Sequence, residues 1–386
     1  MRKVLLISPQ PFFQWRGSPI RVSFNVRALV KLGYQVDLLT LPVGDKMNIP
    51  GVRIIRTPNL LNIKNIPIGP SVLKALFDVL LLFKGTPLAL KNNYDVIHCV
   101  EDAGIIGMII SFLTGRSKLI FEIHSDPFSY KKGLIQNIVL YLYVKIERFV
   151  IRHADAIIAT GPGLVKQAQE MAHNVSVHHI FDIASSLVES EKNKCLLIKK
   201  RLKQKNNELL ITFVGSFAIY QGVDLMFEAV PLVMQRNPNA RFIIIGGSGN
   251  EIAVRQNWLK QRGVDNAVTF VGKVPPDELP DYLAASDILL SPRMAGVNTP
   301  LKLLDYLKAG RAIVATDVLS NTLILDDSTA IIVIPEPKAF AKGICFLLDN
   351  EKLRLRLARN GKKLSKNRYS FAEFKKRLDA CYKTLL

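Results

Sequence analysis

At 386 residues the chain is too long for one ordinary core, and a domain size of about 100–200 residues predicts two domains. Hydrophobic residues make up 49% and charged residues 22%, which excludes a disordered chain. Fifty-two Lys and Arg against 32 Asp and Glu give a formal charge of +20, which calls for an anionic partner. The excess sits at the two ends: 13 basic against 4 acidic residues in 1–100, and 12 against 3 in 351–386. The aromatic–basic interleaving of RNA-binding surfaces is missing, so no nucleic acid is expected.

The four cysteines form neither a CxxC pair nor a metal-ligand spacing, so reduced thiols and no metal are expected. The opening MRKVLLISPQPFF reads as a first strand and not as a signal peptide. No stretch reaches the roughly 18 apolar residues of a membrane span. Ser71–Phe83, Gly104–Leu113 and Leu134–Val150 come partway. They read equally as helices buried against a sheet, or as part of an apolar, basic half that rests on an anionic membrane. The expected location is cytoplasmic, with peripheral contact on the inner membrane face under the second reading.

In chain order, Lys3–Ile7, Val36–Leu41, Val52–Arg56, Asp95–His98, Lys118–Ile123 and Asp155–Thr160 read as strands. Leu209–Val214, Arg241–Ile245, Ala267–Val271, Asp287–Ser291, Ala312–Thr316 and Ala330–Ile334 form a second set. Most are continuous apolar runs, as in parallel strands covered on both faces. Helical patterns at Val22–Leu32, Gly163–Ala172, Leu225–Gln235, Asn250–Arg262, Asp277–Ala285 and Leu301–Lys308 separate most of them. The β-α alternation, seen twice, predicts an α/β protein of two doubly wound parallel-sheet domains. The boundaries read as 1–185, a linker at 186–208, 209–365, and a C-terminal helix in 366–386 able to pack back on the first domain. Ser370-Phe-Ala-Glu373 has the capping-box pattern.

Ligands of open parallel sheets sit beyond the carboxyl ends of the strands. There, Ser291-Pro-Arg-Met-Ala-Gly-Val-Asn-Thr-Pro-Leu-Lys302 leads into a helix. Thr299 suits the N-cap and Pro300 the first helical position. Lys302 then stands where a capping box wants an acid, a placement that opposes the helix dipole unless an anion binds. Arg293 supplies a second positive group. Ser18, Pro19 and Arg21 repeat the arrangement after the first strand, so anion binding is expected at both helix starts. Gly246-Gly-Ser-Gly249 serves either a close ligand approach or a tight turn. His124 follows a strand in Glu122-Ile-His-Ser-Asp126, where it can donate to an oxygen or move a proton. His98 stands at a strand end with a weaker case, and His178-His179 read as structural.

Val214-Gly215, Tyr220-Gln-Gly-Val-Asp-Leu225, Ile245-Gly-Gly247, Val271-Gly-Lys-Val274, Asp281-Tyr-Leu-Ala-Ala-Ser-Asp287, Thr299-Pro-Leu-Lys302 and Asp305-Tyr-Leu-Lys-Ala-Gly310 together resemble glycosyltransferase family 4. The resemblance implies the GT-B fold, two facing Rossmann-like domains with a cleft between them. It also implies an enzyme that moves a sugar, with retention and without a metal, from a UDP- or GDP-linked donor to a glycan or lipid-linked acceptor. By position, Asn298, Thr299, Pro300, Leu301, Lys302, Arg293 and Gly17 would hold the donor diphosphate. Asp305 would meet the ribose, and Gly215, Ser216, Gln221, Gly247 and Lys273 the nucleotide. His124 and Lys302 would serve catalysis. Ser216, Gln221 and Val297 depart from the family's usual Arg, Lys and Glu, and Arg293, Lys302, Arg16 or Arg21 could make up the charge. A sugar-nucleotide 2-epimerase of similar fold and a non-catalytic sugar-nucleotide-binding protein are the alternatives.

Overall fold

The structure is a computed structural model that describes residues 1–59, 62–64, 66, 72–125, 134–172, 174–296 and 299–386. The chain divides into two compact units, Met1–Asp182 with Phe371–Leu386, and Ile183–Ser370.

The first unit is built on seven parallel strands, β1 (Lys3–Ser8), β2 (Gln35–Thr40), β3 (Val52–Arg56), β4 (Val96–Val100), β5 (Lys118–Ile123), β6 (Ala156–Ala159) and β7 (Ser176–His179). Their order is β3-β2-β1-β4-β5-β6-β7. Connecting helices are α1 (Gly17–Lys31), α2 (Val72–Asn92), α3 (Gly104–Thr114), α4 (Leu134–His153) and α5 (Pro162–Met171). Central strands are apolar because helices cover both faces, and all of Val96–Val100 is buried. Leu5, Ile7, Ile97, Phe121 and Ile157 from four strands meet Ile106 and Ile110 of α3 in one core.

The second unit repeats the topology. Its strands β8 (Leu209–Val214), β9 (Ala240–Ile245), β10 (Val268–Gly272), β11 (Ile288–Ser291), β12 (Ala312–Thr316) and β13 (Ile331–Val333) run in the order β10-β9-β8-β11-β12-β13, all parallel. Its helices are α6 (Lys192–Leu202), α7 (Val223–Arg236), α8 (Gly249–Lys260), α9 (Leu279–Ala285), α10 (Leu301–Ala309), α11 (Leu319–Thr322), α12 (Pro337–Asp349) and α13 (Glu351–Arg368). In each sheet the strand order reverses once, between β1 and β4 and between β8 and β11. These are the switch points where such sheets open a crevice for ligands.

The segment 186–208, expected as a linker with a helix in its middle, carries α6, which packs on α9 within the second unit. The last helix, α14 (Phe371–Lys383), packs on α1 in the first unit, where Phe24 meets Phe371 and Phe374 edge to face at 6.4 Å. Strand β7 has no strand signature in the sequence, because its residues, Ser-Val-His-His, lack the apolar run of a covered strand; it lies at the sheet edge, where neither face is fully buried. Helix α12 lies outside the predicted helical patterns, although Pro337 at its first position is a regular helix-start signal.

Helix α3 approaches β4 closely because Gly107 has no side chain: a Cβ there would lie 1.9 Å from Cys99 Sγ. Gly107→Ala is expected to destabilise the first unit by about 1–3 kcal/mol through overpacking, read as a lower thermal midpoint in circular dichroism.

Candidate functional site

In the second unit two cations collect at the β8/β11 switch point. Lys302, in the first turn of α10, donates from Nζ to Gln221 Oε1 at 2.8 Å and lies 4.6 Å over the Phe213 ring. Burial, helped by the nearby Arg293 charge, pushes its pKa down to about 7. Arg293, in the loop after β11, stacks 5.3 Å over the Tyr220 ring and donates from Nε to Ala295 O at 3.2 Å. Burial lowers its pKa as well. Among the described residues, no carboxylate is paired with either cation.

The backbone explains how these loops meet. Gly222 takes φ +69°, and a Cβ there would sit 1.7 Å from Pro292 O, so the turn carrying Gln221 can press against the loop carrying Arg293. Met294 N donates to Tyr220 O at 3.0 Å and stitches the two together. The Thr316 hydroxyl donates to the Arg293 carbonyl. Asn321 donates to Thr316 O at 2.9 Å and accepts from the Ser291 hydroxyl at 3.0 Å. Asn321 thus braces the loop that carries Arg293, and no sequence motif marks it, since it touches only backbone and hydroxyls.

Helix α10 begins at Leu301, with Pro300 extended at the cap position and no side-chain cap. The expectation that Thr299 caps is therefore corrected, and Lys302 stands second in the helix, not third. Asn298 and Val297 lie outside the described residues. Gly215 and Ser216 follow β8 directly, and Ser216 is exposed. At Gly247 the Phe217 ring fills the place of a side chain, 2.8 Å from where a Cβ would be. Next to it Ser248 and Glu251 form a capping box, with Ser248 N donating to Glu251 Oε2 at 2.8 Å, so the α8 terminus is answered by its own acid. The Ser-x-x-Glu spacing was the available signal. Lys273 is exposed in the turn after β10. Asp305 lies one turn beyond Lys302, but its Oδ1 accepts from Ser185 N at 2.6 Å and Ser185 Oγ at 3.0 Å. Burial pushes its pKa up to about 7.

In the first unit the chemistry gathers on Glu122, a wholly buried carboxylate on β5. Arg21 Nε donates to Oε1. Asn25 Nδ2 donates to Oε2 at 2.6 Å, and His98 Nε2 lies 2.8 Å from Oε2. Burial pushes this carboxyl up, but Arg21, then His124 and His98, hold it well below the usual range. Arg21 also pairs with Asp182 at 2.9 Å and is only 3% exposed. The expectation that Arg21 waits for an external anion is corrected: its charge is consumed inside the unit. Ser18 does not cap either, since α1 begins at Gly17 after an extended Arg16 with no side-chain cap. Gly17 is exposed, and nothing lies within 4 Å of where its Cβ would be.

His124 stands just past β5 with its side chain 7% exposed. Its Nε2 lies 3.2 Å from Glu122 Oε1 without hydrogen-bond geometry, and both ring nitrogens are buried with no hydrogen-bond partner. A buried, unsatisfied imidazole is costly unless something docks on it. Nearby, a cavity of about 210 Å³ is lined by Asp78, Asp102, Ile105, Phe121, Tyr143 and Ile146 among others. Asp78 Oδ1 is buried there without a partner, and burial raises the Asp78 pKa to about 6. Among the described residues no three His, Cys, Asp or Glu side chains are arranged to hold a metal ion, and no helix is long and apolar enough to cross a membrane.

Residues 196–364 match the family described as "Glycosyl transferases group 1", and residues 16–179 match "Glycosyl transferase 4-like domain". An uncharacterized glycosyltransferase of Methanocaldococcus jannaschii is 24% identical over 385 residues, 95% of this chain and 94% of its own. Among solved structures, a sucrose-phosphate synthase from Thermosynechococcus elongatus superposes with a TM-score of 0.77 at 19% identity, covering 100% and 99% of the two chains. Anabaena HepE in complex with UDP and glucose gives 0.74 at 15% identity, covering 100% of both.

Lys302 is expected to titrate near neutrality. In protein labelled at lysine ¹³Cε, one resonance should shift with a midpoint near pH 7 and be lost in Lys302→Met. A lysine set that all titrates near the ordinary value contradicts the burial described here.

Proposed function

The chain is a glycosyltransferase of the GT-B fold and family-4 type, and from that premise we propose that it moves a sugar, with retention, from a UDP- or GDP-linked donor to an acceptor in surface glycan or glycolipid synthesis. The observation that carries the donor assignment is the Lys302–Arg293 pair, two cations at a sheet switch point with no acid paired to them among the described residues. A diphosphate would restore the charge that burial takes from Lys302, and the same contacts would strengthen as the leaving diphosphate gains charge. The solved HepE complex holds UDP and glucose at a matching fold, which supports a uridine nucleotide as the first donor to try.

In this reading the backbone at Thr299–Leu301, with Lys302 and Arg293, holds the diphosphate, while Gly215, Ser216, Gln221, Gly247 and Lys273 surround the nucleotide. Asp305 would reach a ribose only by giving up its bond to Ser185. Gly17 leaves room for a phosphate or sugar, and His124 offers an unsatisfied ring nitrogen to the transferred sugar. The bond from the sugar's anomeric carbon to the phosphate oxygen breaks as the acceptor oxygen bonds to that carbon. The acceptor proton passes to the departing phosphate, so no separate carboxylate base is required. The cavity at Asp78 would take the acceptor, with the free Oδ1 receiving a hydroxyl. Phe83 and Phe112, 72% and 84% exposed on the packed helices α2 and α3, would rest on an anionic membrane beside Lys84 and Arg116.

Calorimetry with UDP and GDP tests the reading. One of them should bind with proton uptake near pH 7, because binding raises the Lys302 pKa from about 7. Affinity should therefore fall on the order of ten-fold from pH 6.5 to 8.5, and Lys302→Met should weaken binding and flatten that slope. Affinity that ignores pH, or no binding of either nucleotide, removes the donor assignment. Separately, Phe83→Ser with Phe112→Ser should release the protein from vesicles containing anionic lipid in co-sedimentation; unchanged pelleting sinks the membrane proposal.

A further inference from the structure

A sugar contact accounts for His124 but gives Glu122, His98 and Tyr382 no part. These four side chains form one chain of contacts. Tyr382, on α14, places its hydroxyl 2.9 Å from His98 Nδ1. His98 Nε2 reaches Glu122 Oε2 at 2.8 Å, and Glu122 Oε1 faces His124 Nε2 at 3.2 Å. Tyr382, His98 and Glu122 are each wholly buried. Tyr34 packs against the Tyr382 ring at 5.2 Å and fixes it from the other side.

We propose that Glu122 is the positioning residue of His124, and that the C-terminal helix holds Glu122 in place through Tyr382 and His98. The protons follow from the acceptors. An ionised Glu122 has only lone pairs to offer, so His98 must carry its proton on Nε2. Its Nδ1 is then an acceptor, and the Tyr382 hydroxyl donates to it. The same carboxylate lies 3.2 Å from His124 Nε2, short of hydrogen-bond geometry, and by its charge favours the proton on that nitrogen, which leaves Nδ1 as the unprotonated atom. His124 then presents a lone pair, which receives a hydroxyl of a sugar, in a ring orientation set before any ligand arrives. Arg21 and Asn25 supply the remaining donors to the carboxylate.

This assignment rests on the reading that His124 faces the sugar, but its test does not need a substrate. In ¹⁵N-histidine-labelled protein, long-range proton–nitrogen correlations report which ring nitrogen carries the proton. Signals are assigned by their loss in His124→Gln and in His98→Gln. His98 and His124 are both expected as the single Nε2–H tautomer. Glu122→Gln should turn His124 into a mixture. Because that change also strips Arg21 of one of its two acidic partners and can unfold the unit, Tyr382→Phe, which only deletes a hydroxyl, is the second variant. With its thermal midpoint near that of the parent, Tyr382→Phe should shift the His98 Nδ1 signal strongly and broaden or split that of His124. An Nδ1–H tautomer of His124 in the parent protein, or a His124 signal indifferent to folded Tyr382→Phe, overturns the proposal. A His124→Ala enzyme that turns over normally would instead remove the role of His124 while leaving the tautomer result standing.

Discussion

The first unit is organised around one buried ion pair, Arg21 with Glu122. Taking a carboxylate and a guanidinium out of water costs several kcal/mol each, and the cost is met only when every lone pair and proton finds a partner. Here Asn25, His98 and Asp182 supply most of those partners, and Arg21 Nη2 is left buried without one. The members come from α1, β4, β5, the segment after β7 and, through His98, from α14. The pair thus ties the sheet's switch point to the first helix and to the returning helix. A hydrophobic contact between the same elements would hold them as well, but it would not fix a charge at one point beside His124.

The second unit has the same topology and the opposite electrostatic solution. Its switch point carries Lys302 and Arg293, braced by glutamine, aromatic rings and backbone, with no acid paired to them among the described residues. One unit neutralises its cation from within; the other keeps two cations unanswered at a cost in desolvation. Under the proposed function, an energetic debt of that kind at the switch point is what a substrate anion would discharge. The neighbouring α8 shows the contrast: Glu251 turns back on Ser248, and that helix start has no such debt.

Much of the fold was legible because covered parallel strands are continuous apolar runs. Lys118–Ile123, Leu209–Val214 and Ala312–Thr316 coincide with the strands of the structure. The edge strand at Ser176–His179 was not, because two half-open faces leave no apolar signature. At the site, the pattern of a basic residue near a helix start after a strand was visible at both Arg21 and Lys302, yet only Lys302 lacks an acidic partner. Sequence spacing cannot tell these apart. The acids that claim Arg21 lie 101 and 161 positions away, and only the fold brings them in. Asp305 is a similar case, since its bond to Ser185 spans 120 positions.

The path of the chain has a consequence for synthesis. Residues 1–182 emerge from the ribosome first, but Tyr382, Phe371 and Phe374, which pack against them, emerge only after the whole second unit has been made. A nascent first unit therefore waits with the α1 face around Phe24 uncovered and the His98 ring unsupported. While translation continues, an apolar face of that kind is what a chaperone would cover.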